Sequence, residues 1–253
     1  MKRILTKLLL SSSLLLCSCG TAEPAAETVS SVTAEGISVQ KQKMYTTAYG
    51  TFPLIDSIWE NNMHMMAVPS EPGEELMISY LTDDPERAED VRRQLRELVG
   101  EITAECANDE ERGRAIAMWV GTNIAYDFDF ADDGSFEMMT AERVLTLRRG
   151  TCTGFANLFS CLCTEAGIDN LFMAGGTASD GYGRAQLEAA PANHAWNAFY
   201  ADGEWHFADP TWISDLSYED GKIFGGGKCL DYYADFDFGG MCIEHRIDRI
   251  ERR

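Results

Sequence analysis

Apolar residues at helical spacing predict several helices in the first half of the chain. After Asp84-Pro85, apolar residues recur every three or four positions, as expected for one buried helix face. This start is favourable because aspartate caps a first turn and proline fits its first position. Similar spacing predicts a helix over residues 109–122 and a short one over 141–147, while residues 74–81 are predicted to form a strand.

A second apolar pattern begins at Cys152 and predicts a helix with one buried face. It ends at Gly167, where glycine accommodates the left-handed conformation of a helix C-terminus. Residues 171–174 then predict a strand. The segment 175–193 is rich in glycine and alanine, and its length favours a lid or a substrate wall over a simple connection.

Two aromatic, alternating runs flank Asp202-Gly203 and predict a β-hairpin. In the register that this two-residue turn sets, Trp196 lies opposite Asp209. Directly paired residues share a face of the sheet, so His194 becomes a diagonal neighbour of Asp209. The register alone therefore predicts that the imidazole and the carboxylate meet.

Cys152 has the sequence context of a reactive thiol. A cysteine at a helix start faces the positive end of the helix dipole and unpaired N–H groups, and both favour the thiolate. The neighbouring cations Arg148 and Arg149 are expected to act in the same direction. The alternative is that Cys152 is a small buried apolar residue, which is common for a lone cysteine.

The order cysteine, histidine, aspartate favours catalysis over that alternative. In a thiol triad the histidine takes the thiol proton, and the aspartate fixes the histidine tautomer and stabilises the imidazolium. Each residue alone is a weak signal. Together with the hairpin register, Cys152, His194 and Asp209 are predicted to form one catalytic group.

Three motifs in this order resemble those of the bacterial transglutaminase-like superfamily. The nucleophile motif corresponds to residues 149–158, the histidine motif to 193–197 and the aspartate motif to 202–212. The stretch 115–127 is similar to the segment that these domains place ahead of the cysteine. The resemblance covers about residues 109–212.

The resemblance implies a papain-like α+β fold, with the nucleophile helix packed on an antiparallel sheet. It also implies acyl transfer through a thioester, in which an oxyanion hole holds the tetrahedral intermediate. The backbone N–H of Cys152 is the expected first donor. Tyr126, Trp119 and Trp196 are candidates for the second donor or for substrate contact.

The composition limits the classes of binding partner and cofactor that the sequence predicts. The chain has 253 residues and a net charge of −20, which excludes the basic balance of nucleic-acid binding. The cysteines have no metal-type spacing, so neither a metal nor a cofactor is expected. An exported protein could pair Cys229 with Cys242, and the sequence leaves this pairing open.

The N-terminus predicts export and lipidation. Residues 1–18 combine three cations with a short apolar run, as in a signal peptide. Leu16-Cys17-Ser18-Cys19 resembles the bacterial lipoprotein box, which implies a lipid on Cys19 and a membrane anchor facing outside the cytoplasm. Residues 19–43 are expected to be a flexible tether and residues 44–253 a single domain.

The leading prediction is therefore a membrane-tethered, extracytoplasmic cysteine enzyme, expected to be a monomer. Its substrates would be amides of peptides or proteins, including cell-wall peptides. Glutamyl transfer to an amine is the alternative reaction. The rival from another class is a surface module that keeps the fold for binding without catalysis.

Overall fold

The protein has a mixed α+β fold. The computed structural model describes residues 28–29, 42–47, 50–67, 69–132, 139–178 and 184–253. The helices are α1 (Asp56–Ala67), α2 (Glu74–Leu81), α3 (Ala88–Ile102), α4 (Asp109–Asn123), α5 (Phe128–Asp132), α6 (Ala141–Leu147), α7 (Cys152–Glu165), α8 (Pro210–Ile213) and α9 (Phe238–Glu244). The strands are β1 (Thr28–Val29), β2 (Gln42–Thr47), β3 (Gly50–Pro53), β4 (Ala125–Asp127), β5 (Arg149–Gly150), β6 (Asn170–Thr177), β7 (His194–Ala201), β8 (Glu204–Ala208), β9 (Ser217–Glu219), β10 (Lys222–Phe224) and β11 (His245–Arg252).

The predicted helices before Cys152 are confirmed. The apolar face of α3 is buried, and α4 is capped by Asn108, whose side chain accepts the N–H of Glu111 at 2.8 Å. Thr140 caps α6 in the same way. Asp84 caps a short 3-10 turn, Pro85–Arg87, directly before α3.

The strand predicted over residues 74–81 is wrong, because this segment is helix α2. Two acidic residues occupy its first turn, where they interact favourably with the helix dipole. Its buried residues, Tyr80 and Leu81, follow the half-buried Met77 at helical spacing. A short apolar run fits both periods, and packing against α7 favours the helix.

The central sheet is antiparallel, with strand order β11-β6-β7-β8. The predicted hairpin joins β7 and β8 in the predicted register, with Ala198 opposite Phe207. Asp202 and Gly203 form the turn with φ of 49° and 94°, the left-handed conformations that a two-residue hairpin turn requires. Strand β8 ends at Ala208, so Asp209 lies directly beyond the sheet.

Helix α7 packs on this sheet and forms the centre of the core. Its apolar residues Phe155, Leu158, Phe159 and Leu162 are completely buried. The predicted end at Gly167 is confirmed, with a φ of 75°. Helix α7 therefore packs on strand β7, which begins with His194.

The lid predicted over residues 175–193 is wrong at its start. Strand β6 continues to Thr177 and places Gly175 directly opposite His194. A Cβ atom on Gly175 would lie 1.9 Å from the carbonyl oxygen of Arg246, so glycine allows β11 to approach. A 3-10 turn, Arg184–Ala189, follows, and residues 179–183 lie outside the described residues.

A second sheet supports the start of α7. Its order is β10-β9-β4-β5, and β4 pairs in parallel with β5, which ends immediately before Thr151. Tyr126 on β4 lies opposite Gly150 on β5. This pairing places β4 beside the segment that delivers Cys152.

The described part of the N-terminal region contributes a small sheet, β1-β2-β3, in which Thr28 and Val29 pair with β2. The predicted signal peptide and most of the predicted tether lie outside the described residues. Among the described helices, none is long and apolar enough to cross a membrane.

Candidate active site

The candidate thiol lies at the first residue of helix α7. Cys152 begins α7, and its side chain is partly exposed. It packs against a small apolar cluster that contains Ala156, Phe172 and Ala195. Because the first turn of a helix leaves its amide groups without partners within the helix, the Cys152 N–H is available to a ligand oxygen.

The imidazole of His194 is held between two aromatic rings. His194 is the first residue of β7 and is 8 % exposed. The ring stacks against Trp196 with a centroid distance of 6.0 Å and against Trp212 with 5.4 Å. The interplanar angles are 15° and 22°, so the two indoles restrict the tilt of the imidazole.

The carboxylate of Asp209 is completely buried and fixed at both oxygens. Asp209 is the N-cap of α8, and its Oδ1 accepts the backbone N–H of Trp212 at 3.2 Å. Its Oδ2 lies 2.7 Å from Nε2 of His194. The meeting of imidazole and carboxylate predicted from the hairpin register is therefore confirmed.

Cys152 and His194 interact directly. Because Nε2 of His194 faces Asp209, Nδ1 is the nitrogen left to meet the thiol. Burial by itself raises the pKa of the Cys152 thiol. The hydrogen bond with His194, the charge of His194 and the N–H of Ala195 outweigh burial, so that the pKa of Cys152 is lowered from its usual value.

The histidine and the aspartate favour their charged forms. Burial lowers the pKa of His194, but the charge and hydrogen bond of Asp209, with help from Cys152, raise it to about 10. Burial raises the pKa of Asp209, and His194 and His245 together lower it to about 2. Over a wide pH range the site therefore holds an imidazolium beside a carboxylate, and the lowered pKa of Cys152 favours the thiolate.

The two arginines before the thiol have other partners. The guanidinium of Arg148 lies over the ring of Trp119 at 5.0 Å, and Arg149 forms an ion pair with Asp127 at 3.2 Å. Arg149 also stacks on Tyr218. Neither arginine is among the main causes of the lowered pKa of Cys152, which are His194 and the N–H of Ala195.

The three aromatic candidates occupy different places. Tyr126 is half-buried on β4, next to the strand that leads into Cys152. Trp119 is partly buried beneath Arg148. Trp196 is completely buried against the imidazoles of His194 and His245, which places it in the core behind the histidine.

Sequence analysis missed two residues of the site. His245, the first residue of β11, is completely buried, and its Nε2 lies 3.2 Å from Oδ2 of Asp209. Trp212 packs on both imidazoles, with ring distances of 5.4 Å to His194 and 4.5 Å to His245. Trp212 lies in the aspartate motif and was therefore a visible candidate, whereas no pattern around His245 marks it.

Two groups of potential metal ligands occur among the described residues. One consists of His194, Asp209 and His245, whose nitrogen–oxygen distances are those of hydrogen bonds. The other combines Glu110, His206 and Asp235, and Nδ1 of His206 lies 2.9 Å from Asp235.

All six cysteines that the structure describes are free. They are Cys106, Cys152, Cys161, Cys163, Cys229 and Cys242. The pairing that the sequence left open is therefore not formed: Cys229 is exposed, whereas Cys242 is buried.

A thiol at a helix start that faces a buried imidazole–carboxylate pair is an arrangement that papain-like cysteine proteins use, and the transglutaminase-like fold is one of these. The sequence model of the transglutaminase-like superfamily matches residues 96–210. This segment contains both the thiol and the pair. Residues 96–210 thus match the transglutaminase-like superfamily, and they lie within an α+β fold.

Curated relatives match about half of the chain. The mouse kyphoscoliosis peptidase is 35 % identical over 126 residues, which is 50 % of this chain and 19 % of the relative. Hillarin from Drosophila melanogaster is 26 % identical over 49 % of this chain and 15 % of its own length. A crystal structure of a TGase is 16 % identical, with a TM-score of 0.39, covering 87 % of this chain and 50 % of that one. The chain thus spans less than a fifth of the curated relatives.

We predict that Cys152 is alkylated first when the protein is treated with iodoacetamide at about pH 6. The comparison is Cys229, which is exposed but has a pKa raised by burial and nearby acids. Labelling at Cys152 should be at least about tenfold faster, because its pKa is lowered. Peptide mass spectrometry over time measures both rates. His194→Ala should slow labelling of Cys152 alone, and equal rates in the unaltered protein would contradict an activated thiol.

We also predict that Asp209→Asn destabilises the fold most between about pH 4 and 6.5. The pKa of Asp209 is lowered from 3.8 to about 2, so its stabilisation is complete above 3.8 and is lost as the pH falls through 2. The pKa of His194 is raised from 6.5 to about 10, so its stabilisation is complete below 6.5 and is lost as the pH rises through 10.

Within that window, removal of one member of a buried ion pair should cost about 3–5 kcal/mol. Urea unfolding at several pH values measures the difference from the unaltered protein. Asp84→Asn is the matched control, because it makes the same change at an exposed capping aspartate. A difference that does not vary with pH would show that the charge of Asp209 is not the cause.

Proposed function

We propose that the protein is an acyl-transfer enzyme in which Cys152 is the nucleophile, His194 the general base and acid, and Asp209 the residue that orients the imidazole. One observation carries the proposal: a single imidazole links a buried carboxylate at 2.7 Å to a thiol with a lowered pKa. Activation of a thiol has no purpose in a module that only binds. The geometry therefore favours catalysis over the binding alternative.

The reaction follows from the protonation states. The thiolate of Cys152 attacks the carbonyl carbon of an amide, and the oxyanion that forms accepts the N–H of Cys152. His194 gives its Nδ1 proton to the leaving nitrogen as the carbon–nitrogen bond breaks, and a thioester remains. Nδ1 then takes a proton from water, whose oxygen attacks the thioester and releases the acid and the thiolate. Tyr126 is our candidate for the second oxyanion donor, because its strand adjoins the start of α7.

We infer that the substrates are amides of peptides or proteins and that hydrolysis is the main reaction. The relative named kyphoscoliosis peptidase supports this class, although this chain spans only 19 % of that protein. Cell-wall peptides are included in the proposal because of the proposed location. Transfer of a glutamyl group to an amine uses the same thioester and is the alternative outcome.

Turnover can be tested without knowledge of the natural substrate. p-Nitrophenyl acetate acylates reactive thiols, so the unaltered protein should release p-nitrophenol in a burst followed by slower turnover, and Cys152→Ala should show neither. Absence of a burst from folded, unaltered protein would favour the binding module.

Casein with dansylcadaverine then separates the two reactions. New amino termini or released ammonia without dansyl label indicate hydrolysis, whereas fluorescent casein indicates transfer. We expect hydrolysis, and both readouts should disappear in Cys152→Ala.

We further propose that a lipid on Cys19 anchors the protein to the membrane, outside the cytoplasm. Three cations, an apolar run and Leu16-Cys17-Ser18-Cys19 support this location. In a bacterial host, we expect Cys19→Ala to abolish lipid labelling and to move the processed protein out of the membrane fraction. Cys17→Ala is the matched control and should remain at the membrane. Retention of both variants would contradict the anchor.

A further inference from the structure

Two histidines share one oxygen of the buried aspartate. Nε2 of His194 lies 2.7 Å from Oδ2 of Asp209, and Nε2 of His245 lies 3.2 Å from the same oxygen. The mechanism proposed above uses only His194. The role of the second, completely buried imidazole is therefore open.

The surroundings of His245 fix its protonation state. An ionised carboxylate only accepts hydrogen bonds, so Nε2 of His245 carries a proton. Its Nδ1 is buried and has no hydrogen-bond partner among the residues that the structure describes. A proton on Nδ1 would leave a buried N–H without an acceptor against Trp196, Trp212 and Phe236. It would also place a second cation on the carboxylate that already pairs with His194. His245 is thus a neutral donor, and burial accordingly lowers its pKa.

The backbone of His245 is held by a helix from the other end of the chain. The side-chain amide of Asn62 on α1 donates to the carbonyl of His245 at 2.9 Å and accepts the N–H of Ile247 at 2.8 Å. Asn62 is itself completely buried. The contact between α1 and β11 therefore helps to orient the imidazole of His245 toward Asp209.

We propose that His245 is a positioning residue that acts through Asp209, because its N–H keeps the carboxylate ionised when His194 has given up its proton. This inference rests on the proposed function. When His194 is neutral, the buried carboxylate has lost its cationic partner. Three neutral donors then remain: the N–H of Trp212 on Oδ1, and Nε2–H of His194 and of His245 on Oδ2. Several such donors stabilise a buried carboxylate.

Loss of the His245 donor is expected to shift the pKa values of His194 and Cys152 in opposite directions. Without the N–H of His245, the anion of Asp209 is less stabilised and holds the imidazolium of His194 more strongly. The pKa of His194 should rise, and the thiolate beside it should become more stable, so the pKa of Cys152 should fall. His194 would then be a weaker acid toward the leaving group.

The other titratable groups near the imidazoles do not change in this comparison. Cys152 faces His194 from α7, and Asp209 faces both rings from the start of α8. Glu244, at the end of α9, precedes His245 and accepts the hydroxyl of Tyr233 at 3.0 Å. Each of these groups is retained in the variants below.

The test compares His245→Met with His245→Gln, which have similar length and volume but differ in the ability to donate. Alkylation of Cys152 by iodoacetamide is measured on the full chain from about pH 4 to 10.5. In the Met variant we expect the lower inflection of the rate–pH profile to move to lower pH and the upper inflection to move to higher pH. The two shifts should add up to about one pH unit, which corresponds to the free energy of one hydrogen bond to a charged group. The Gln variant should follow the unaltered protein within about 0.3 unit.

The possible results of this test separate a failure of the proposed role of His245 from a failure of the proposed function. A Met profile that coincides with that of the unaltered protein, or in which the two inflections approach each other, would overturn the role of His245 and leave the proposed function intact. If the unaltered protein shows no accelerated labelling of Cys152, the proposed function itself fails.

A second measurement is made on the unaltered protein and uses a variant only to assign signals. The chain has four histidines, and nitrogen-15 NMR distinguishes the tautomers of each ring. The His245→Gln spectrum assigns the missing signals. We expect His245 to remain neutral with its proton on Nε2 from pH 5 to 9. A proton on Nδ1, or titration within this range, would overturn the proposal.

Discussion

A carboxylate without exposure to solvent keeps its charge only if donors surround it, and Asp209 obtains its donors from three elements. The first turn of α8 supplies a backbone N–H, β7 supplies His194 and β11 supplies His245. The backbone N–H of Asp209 is also used, since it donates to Tyr233 at 2.8 Å. The charge of this residue therefore ties the position of the hairpin end to that of the last strand.

The thiol depends on this arrangement through the contact between helix and sheet. On β7, the side-chain amide of Asn197 donates to the carbonyl of Ala156 at 3.1 Å and to the hydroxyl of Ser160 at 3.0 Å, both on α7. These hydrogen bonds fix the position of α7 along the axis of β7. Cys152 at the helix start therefore faces His194 at the strand start, and the electrostatic effect of Asp209 reaches the thiol through one imidazole.

Local chemistry explains which parts of the site were predictable from the sequence. The turn at Asp202-Gly203 sets the register of β7 and β8, and this register brings His194 to Asp209. Helix α7 was predictable because apolar residues recur along it at helical spacing. The fold class followed from the resemblance, which rests on these same local motifs.

What was missed depends on contacts between distant segments. The glycines after residue 174 suggested a loop, but Gly175 lies in a strand because β11 approaches it closely from far along the chain. Arg148 and Arg149 were adjacent to the thiol in sequence, yet their partners on α4 and β4 direct both guanidinium groups elsewhere. Neither the strand at Gly175 nor the directions of the two arginines can be predicted from a short stretch of sequence, because both depend on contacts outside it.

His245 shows why the boundary of a matched segment is not the boundary of a site. The superfamily match ends at residue 210, whereas His245 lies on β11 and the residue that holds it, Asn62, lies on α1. The matched segment supplies the thiol, the imidazole and the carboxylate, but the flanking elements complete the shell of donors around that carboxylate. In this chain, therefore, the matched segment holds the thiol, the imidazole and the carboxylate, but not every donor to Oδ2 of Asp209.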